Sequence, residues 1–494
     1  MRKNVKNKKN QPPNIFRKMK KISFVTIMIL LGLAGCMVGP DFQKPVVDTP
    51  QHYLYDSLAT DTVLNLEWWN LFRDSTLKAL IDTALLRNPD VLIAASRIEE
   101  ARAVVGYTKA DMYPSFSYSG DGSRMRTSLP GGDAPSTFNS FSALGNVNWE
   151  IDFWGKYRRA TEGARADLLA REYGRRAVMI SLIADVATNY FLLLDYRARL
   201  AVSRQTLATR RQSLSIMEAR FLHGTIPEVD LNQAQIQEAV AAAAVPLFER
   251  RIARTEHALK VLLGQNPGPL PLVSRLEEIR PPDTLPPGLP SQLLQRRPDI
   301  LQAEQMLAAQ NARIGVAQAM RFPSFSITGA LGLASGELSA FVTSDAVAWS
   351  FGGGLAGPIF NFGKNKRRVE IERARTEQVR LGYEKTVLNA FREVEDALVD
   401  VYTFNKELET RRRQLVAATN AARLSRERYD GGVTSYLEVL DSERSLFDTQ
   451  LILTETYQLK LNSYVKLYKA LGGGWISEDE ETQAQQASQT GAKK

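Results

Sequence analysis

Tyr113-Pro114-Ser115-Phe116-Ser117 returns 209 residues later as Phe322-Pro323-Ser324-Phe325-Ser326. Upstream, Asn88-Pro89-Asp90-Val91-Leu92 is echoed at the same offset by Arg297-Pro298-Asp299-Ile300-Leu301. Downstream, Ile151-Asp152-Phe153-Trp154-Gly155-Lys156 pairs with Ile359-Phe360-Asn361-Phe362-Gly363-Lys364, now at an offset of 208. Arg220-Phe221 with Gly224 matches Arg428-Tyr429 with Gly432, and Leu263-Gly264 matches Leu471-Gly472, again at 208. A single-residue difference between about 120 and 145 reconciles every pair, a register that chance does not hold over such a length. The chain is an internal duplication, and each half must bury its apolar faces in the same way.

Within each half, a helical stretch (about 75–112 and 291–321) leads to the Pro-Ser-Phe-Ser strand start. Alternation follows: Phe325, Ile327, Leu331 and Leu333 share one face, with Ser324, Ser326 and Thr328 on the other. The returning strands set Val147, Trp149, Ile151 and Phe153 opposite Asn148, Glu150 and Asp152, and Val347, Trp349, Phe351 and Leu355 opposite Ser350 and small residues. An apolar face with tryptophans suits a barrel wall in lipid; a soluble sandwich with one wet face gives the same alternation.

Proline-free helical runs come next, about 156–222 and 364–430, each spanning roughly 100 Å at about 1.5 Å per residue. The segments that return, about 230–263 and 436–470, are half as long, and Pro246 predicts a kink in the first. Half-length helices match the long ones when stacked end to end with those preceding the strands, giving a tall helical cylinder below a barrel. Four strands per chain cannot close a barrel, and an open edge is not tolerated in lipid, so a membrane reading requires several copies.

The formal charge of +9 comes from 63 Lys and Arg against 54 Asp and Glu. Nine of those basic residues (Arg2, Lys3, Lys6, Lys8, Lys9, Arg17, Lys18, Lys20 and Lys21) lie within 1–35, which holds no acidic one, so the remainder balances at zero. Nucleic acid therefore drops out as a partner. Residues 1–35 read as an export signal: a basic stretch, an apolar run from Ile22 to Ala34 too short to span a bilayer, then Leu33-Ala34-Gly35-Cys36. The lone cysteine of the chain falls where a bacterial lipobox places its acylated residue, and Met19 is a second candidate start. No later segment is expected to reach the ~18 apolar residues of a spanning helix. A composition of 44% hydrophobic and 24% charged residues excludes both wholesale disorder and a multi-span helical membrane protein.

These boundaries give a signal peptide at 1–35, a lipidated segment at 36–74, a first repeat at 75–264, a linker at 265–290, a second repeat at 291–472 and a disordered tail at 473–494. Eight of the 22 prolines fall in 265–290, which predicts a stiff, extended linker. Beyond Gly472-Gly473-Gly474 the chain is rich in Gln, Ser, Glu and Lys, with little to bury.

Taken together, Cys36 followed by Met37-Val38-Gly39-Pro40-Asp41-Phe42, Trp68-Trp69, the two Pro-Asp helix starts, and Arg428-Tyr429-Asp430-Gly431-Gly432 running into Tyr436-Leu437-Glu438-Val439-Leu440-Asp441 resemble the TolC-like outer-membrane efflux proteins. The likeness covers about 36–472 and is to the lipoprotein branch serving resistance-nodulation-division (RND) efflux systems, the NodT type. It implies an α+β membrane protein: a long α-helical coiled-coil tunnel through the periplasm, four antiparallel strands per chain, a homotrimer with a 12-stranded barrel, and a lipid anchor at Cys36. Its implied partners are a periplasmic adaptor, an inner-membrane RND pump and outer-membrane lipid.

The glycines of Arg220-Phe221-Leu222-His223-Gly224 and Arg428-Tyr429-Asp430-Gly431-Gly432 end long helices and reverse the chain. The resemblance implies that these ends, with Arg220, Gly224, Arg428 and Gly432, form the periplasmic mouth and dock with adaptor hairpins. Leu437, Asp441 and Arg444 stand at i, i+4 and i+7, on one helix face. A solvated coiled-coil face has the same spacing; threefold symmetry would turn each position into a ring able to dewet a pore or select cations. In the family the matching positions line the resting constriction, and Glu438 matches another acidic pore position. Asp230 and Tyr429 match a pair that hydrogen-bonds across neighbouring helices to clasp the mouth shut. Thr434 stands where some relatives carry an arginine, so the clasp is expected to differ in composition.

Catalytic and metal motifs are absent: His52, His223 and His257 are scattered, and Gly363-Lys364-Asn365 lacks the leading glycine and the Ser or Thr of a phosphate loop. No cofactor is expected. The expected function is a passive outer-membrane duct for drugs or other toxic small molecules, metal ions included, driven by the pump. A structural lipoprotein scaffolding an envelope assembly, or a soluble coiled-coil binding protein, is the competing reading.

Overall fold

The computed structural model describes residues 37–55, 72–127, 136–271, 274–281 and 290–473. The signal peptide, Cys36, Trp68-Trp69 and the tail beyond Gly473 lie outside the described residues, as do parts of the proline-rich linker. The first half runs α1 (Ser75–Arg87), α2 (Pro89–Ala110), β1 (Ser115–Thr127), β2 (Ser136–Ile151), α3 (Lys156–Leu222) and α4 (Glu228–Leu262). The second runs α5 (Pro290–Arg296), α6 (Pro298–Ala319), β3 (Ser324–Ser335), β4 (Val347–Ala356), α7 (Lys364–Asp430) and α8 (Tyr436–Ala470). Helices α3 and α7 are 67 residues each, and α4 and α8 are 35 each.

The stretches expected to be single helices at 75–112 and 291–321 are each broken in two. Asn88 sits at ψ 126°, extended, because proline crowds a helical residue before it and itself donates no N–H. The break is then used: the Asn88 side chain accepts from Asp90 N at 2.8 Å and donates to the Leu262 carbonyl at 2.9 Å. At the equivalent place in the second half, Arg297 donates to the Ala470 carbonyl at 3.1 Å. Pro246 lies inside α4, which continues through it.

The described chain divides into two compact units. One, built from 37–44, 100–168 and 305–380, contains the four-stranded antiparallel sheet, in the order β1-β2-β3-β4. Ser115 opposes Asn148 in the first hairpin and Ser324 opposes Ala356 in the second, so partners shift by 209 on one strand and 208 on the other. The duplication therefore holds at the level of strand register. Trp349, Phe351 and Leu355 project from β4 and are exposed, and among the described residues β1 and β4 have no strand on their outer sides.

In the same unit, residues 37–41 are strapped to the start of α3. Val38 N donates to the Trp154 carbonyl at 3.1 Å, and the buried Arg159 reaches the Val38 and Gly39 carbonyls at 3.3 and 3.2 Å and Asp41 at 2.7 Å. Gly39 lies against Gly315 so tightly that a Cβ would stand 2.4 Å from its Cα. Arg159→Ala is expected to leave the helices intact and release this strap, read as new protease cleavage within residues 37–44; unchanged protection would contradict the account.

The other unit, built from 45–99, 169–304 and 381–473 among the described residues, holds the larger core, where Leu77 and Ile81 of α1 meet Val186, Tyr190 and Phe191 of α3, Leu259 of α4 and Leu461 of α8. Asp74 caps α1, accepting from Thr76 N at 2.8 Å, and takes the Tyr190 hydroxyl on its other oxygen; burial and that carboxylate hold the phenol above its usual range. Contrary to the expectation from sequence, an 18-residue window of α3 reaches a mean hydropathy of 1.8, apolar enough by composition to cross a bilayer. Its use is different: Val186, Ala187, Tyr190, Phe191, Leu193 and Leu194 are buried in protein.

Asp195 in this core is pushed up to about 6, first by burial, against the pull of Arg199, whose Nε donates to it at 2.9 Å. A folded-state value above the ordinary 3.8 means that the fold retains a proton the unfolded chain has released. The stability so gained is present below the ordinary value and is lost as pH rises through about 6, at most roughly 3 kcal/mol. Asp195→Asn is expected to flatten the dependence of the melting temperature on pH between about 4 and 6, and an unaltered slope would contradict the assignment.

Candidate functional site

The two hairpin ends are built alike. At the end of α3, Gly224 adopts φ +67° while its N–H reaches the Phe221 carbonyl at 2.8 Å and Thr225 N that of Arg220 at 3.0 Å. At the end of α7, Gly432 adopts φ +72°, its N–H bonds the Tyr429 carbonyl at 2.9 Å, and Val433 N that of Arg428 at 3.0 Å. Both close the helix with a left-handed glycine that satisfies the last carbonyls. The next helix starts after Pro227 in one case and Ser435 in the other.

Between the ends lies a small core of Met217, Ala234, Tyr436, Val439 and Leu440. Tyr436 is buried, its hydroxyl pushed up to about 12 by burial and then by Glu443. Its ring centroid is 5.2 Å from that of Tyr429, over which the Arg220 guanidinium lies at 5.4 Å. Arg220 is also 3.9 Å from Asp430. The hydroxyl of Tyr429 points to the Met217 sulfur at 3.8 Å, so within the chain Tyr429 and Asp230 are not hydrogen-bonded to each other.

Helix α8 separates two faces. Tyr436, Val439, Leu440 and Phe447 are buried, while Leu437, Glu438, Asp441 and Arg444 are exposed, Leu437 at 60%. Arg444 pairs with Asp441 at 2.5 Å. Glu438 accepts from the Thr434 hydroxyl and faces Arg428 at 3.4 Å, a charge contact that joins a tip residue to the α8 face and that spacing alone did not reveal. Asp448 extends the exposed line by one turn. The equivalent line on α4 is Val229, Gln233, Ile236 and Val240, uncharged, with its three apolar members exposed. Along that line only the second repeat presents charge, whereas Glu438 beside it is matched by Asp230, a pattern that the 208-residue offset could have exposed in the sequence.

Behind this face, Arg426 bridges Glu443 at 2.8 Å and the Ser213 hydroxyl at 2.7 Å, and Ser425 and Ser442 share a hydrogen bond at 2.5 Å. Arg210 is buried with its plane over Phe447 at 5.1 Å and one N–H on the Gln237 carbonyl at 2.7 Å; burial lowers its pKa. Such ties hold α3, α4, α7 and α8 as one bundle behind the exposed line. The structure thus gathers Arg220, Tyr429, Arg428 and Glu438 at the tip, sets Leu437, Asp441 and Arg444 in one row, and leaves Asp230 half-buried in the first turn of α4.

A family model described as outer membrane efflux protein matches residues 80–265 and again 289–473. The cation efflux system protein CusC of Escherichia coli O6:H1 is 36% identical over 467 residues, covering 92% of this chain and 100% of that protein. The solvent efflux pump outer membrane protein SrpC of Pseudomonas putida is 37% identical over 470 residues, covering 92% and 99%. Among solved structures, the outer-membrane channel OprN superposes with a TM-score of 0.84 at 30% identity, over 89% of this chain and 100% of that one. A crystal structure of CusC gives 0.80 at 34%, also over 89% and 100%. With both repeats matched and long helices joined to four antiparallel strands, the chain belongs to the outer membrane efflux protein family.

Proposed function

We propose that the chain is the outer-membrane channel of a tripartite efflux system, a passive duct that carries toxic small molecules, drugs or metal ions from an inner-membrane pump to the exterior. The observation that carries this reading is the sheet: four strands with apolar exposed side chains and two bare edges, which lipid does not tolerate unless further copies close them. Three copies give the twelve strands of a barrel. Energy comes from the pump, and adaptor hairpins meet the tips at Arg220, Gly224, Arg428 and Gly432. In this reading Leu437, Glu438, Asp441 and Arg444 form rings that narrow the periplasmic mouth, and Asp230 and Tyr429, not joined within the chain, are left for contacts between helices that move on opening.

Relatives bearing cation and solvent efflux names bracket the substrate range. Cys36 is the acylated residue of the mature chain, supported by its place as the lone cysteine at the end of the apolar run from Ile22 to Ala34; metabolic labelling with palmitate should mark the protein and be lost in Cys36→Ser. A scaffold lipoprotein would share the anchor and the assembly but not the duct. Deleting the gene while pump and adaptor remain should sensitise cells to toxic solutes, with resistance restored by the intact chain. Unchanged resistance would favour the scaffold.

A further inference from the structure

Within the strands, Arg124 and Arg126 of β1 are the only basic residues, and Asp121 and Glu150 the only acidic ones. Residues directly opposed across antiparallel strands share a face. The register carries Phe116 of β1 through Val147 and Gly329 to Phe351 of β4, and Tyr118 through Gly145 and Leu331 to Trp349. That exposed apolar face, the one turned to lipid when the sheet spans a membrane, is also the face of Arg124 and Arg126. Asp121 and Glu150 fall on the other. The lipid face thus carries cations alone, and both stand at the end of β1 away from α2.

We propose that Arg124 and Arg126, flanked by Asn139 and Thr137, bind the phosphates of a lipid in the outer leaflet of the outer membrane. Such a site exists only if the sheet spans that membrane with its helices in the periplasm, as the channel reading has it.

Height sets the pair at the membrane rim. The two lie eight and ten residues beyond Phe116. At about 3.4 Å per residue and a tilt of about 40°, that is roughly 20 and 26 Å above it, against an apolar band about 25 Å tall on outer-membrane barrels. Half two shows that the strand itself does not need them. Where half one pairs Arg124 with Asn139, half two pairs Leu333 with Val347, and the counterpart of Arg126 is Ser335. Leu333 and the exposed Val347 mark that row as bordering lipid, so a cation there must reach water or an anionic headgroup. Among the described residues neither arginine has an ion pair or hydrogen bond.

The chemistry favours phosphate. Two guanidiniums on alternate residues stand about 7 Å apart at their origin, and each is a planar fork that takes two phosphate oxygens. Asn139 and Thr137 lie directly opposite, about 5 Å away at Cβ, and add an amide and a hydroxyl as neutral donors. Free phosphate gains little at so open a site, because both arginines are exposed and hydrated. A lipid holds its headgroup there by laying acyl chains on Tyr118, Leu331 and Trp349 below, which makes the phosphate contact effectively intramolecular.

Native mass spectrometry of the full-length trimer in detergent tests this, with three probes: lipid A carrying both phosphates, the same lipid dephosphorylated, and inorganic phosphate. The unsubstituted trimer should retain the phosphorylated lipid several-fold more than the dephosphorylated one. Arg124→Leu with Arg126→Ser, the residues that half two carries at these places, should abolish that preference while trimers keep their heat resistance. Arg124→Gln with Arg126→Gln removes the charge at nearly constant length and should abolish it too, which guards against a folding failure in the first variant. A preference unchanged in either folded variant, or no preference in the unsubstituted trimer, would overturn the site. Inorganic phosphate at the lipid's concentration should leave bound lipid in place; displacement would overturn the assignment to lipid in favour of a free anion. Unsubstituted protein that forms no trimer and stays soluble without detergent would overturn the channel reading itself.

Discussion

Leu437→Ala combined with Asp441→Ala should raise the conductance of the channel in planar bilayers severalfold and weaken its preference for cations. The side chains stand exposed on one face of α8, with Asp441 tied only to Arg444 of the same helix at 2.5 Å. Removing them disturbs nothing in the core of Met217, Tyr436, Val439 and Leu440 on the opposite face. In the proposed trimer the substitutions remove six groups within about one helical turn of the pore: three apolar side chains that favour dewetting and three carboxylates that attract cations. In the proposed pore Arg444 then loses its Asp441 partner, so selectivity should move toward anions. Restoring only Leu437 should recover the low conductance and not the selectivity. Channels with unchanged conductance and reversal potential in the double variant would place the constriction elsewhere.

Arg297→Ala should cost about 3 kcal/mol of folding stability, the largest effect expected of a single substitution outside the pore. Arg297 is 8% exposed at the break between α5 and α6. It contacts Asp299 at 2.8 Å, Glu393, and the buried carbonyl of Ala470 at 3.1 Å near the end of α8. Burial disfavours its charge, and the two carboxylates outweigh that cost and hold its pKa above the ordinary range. Both carboxylates keep partial access to water, so the penalty falls on the orphaned carbonyl and the emptied site. Arg297→Lys should recover little, since a point charge cannot serve the carboxylates and the carbonyl at once. Denaturant unfolding followed by helical circular dichroism reads this, and a change under about 0.5 kcal/mol would show that Arg297 is not the pin described.

Much of this architecture is legible in the chain because duplication tests every reading twice. The helices at 156–222 and 364–430 have the expected limits, since each lies between a Gly-Lys turn and a glycine that only a chain reversal explains. The breaks at Asn88 and Arg297 fall at the two Pro-Asp helix starts, although the helix-forming residues on both sides make each stretch read as one helical run. The apolar window of α3 shows the limit of hydropathy, because a helix buried among others and one buried in lipid carry the same composition. At the tips, the left-handed glycines and the i, i+4, i+7 line could be read directly. Contacts between helices could not: Arg428 with Glu438 across the second turn, and Arg220 over Tyr429 and Tyr429 with Met217 between the repeats, depend on how the helices meet.

Reconstitution of the purified, unsubstituted protein into planar bilayers tests whether this chain forms a conducting duct. A duct with its mouth closed at rest should give small, discrete conductance steps from trimers, with a reversal potential displaced toward the cation equilibrium by the acidic residues at 438 and 441. Bilayers that take up the trimeric protein and remain electrically silent would contradict it.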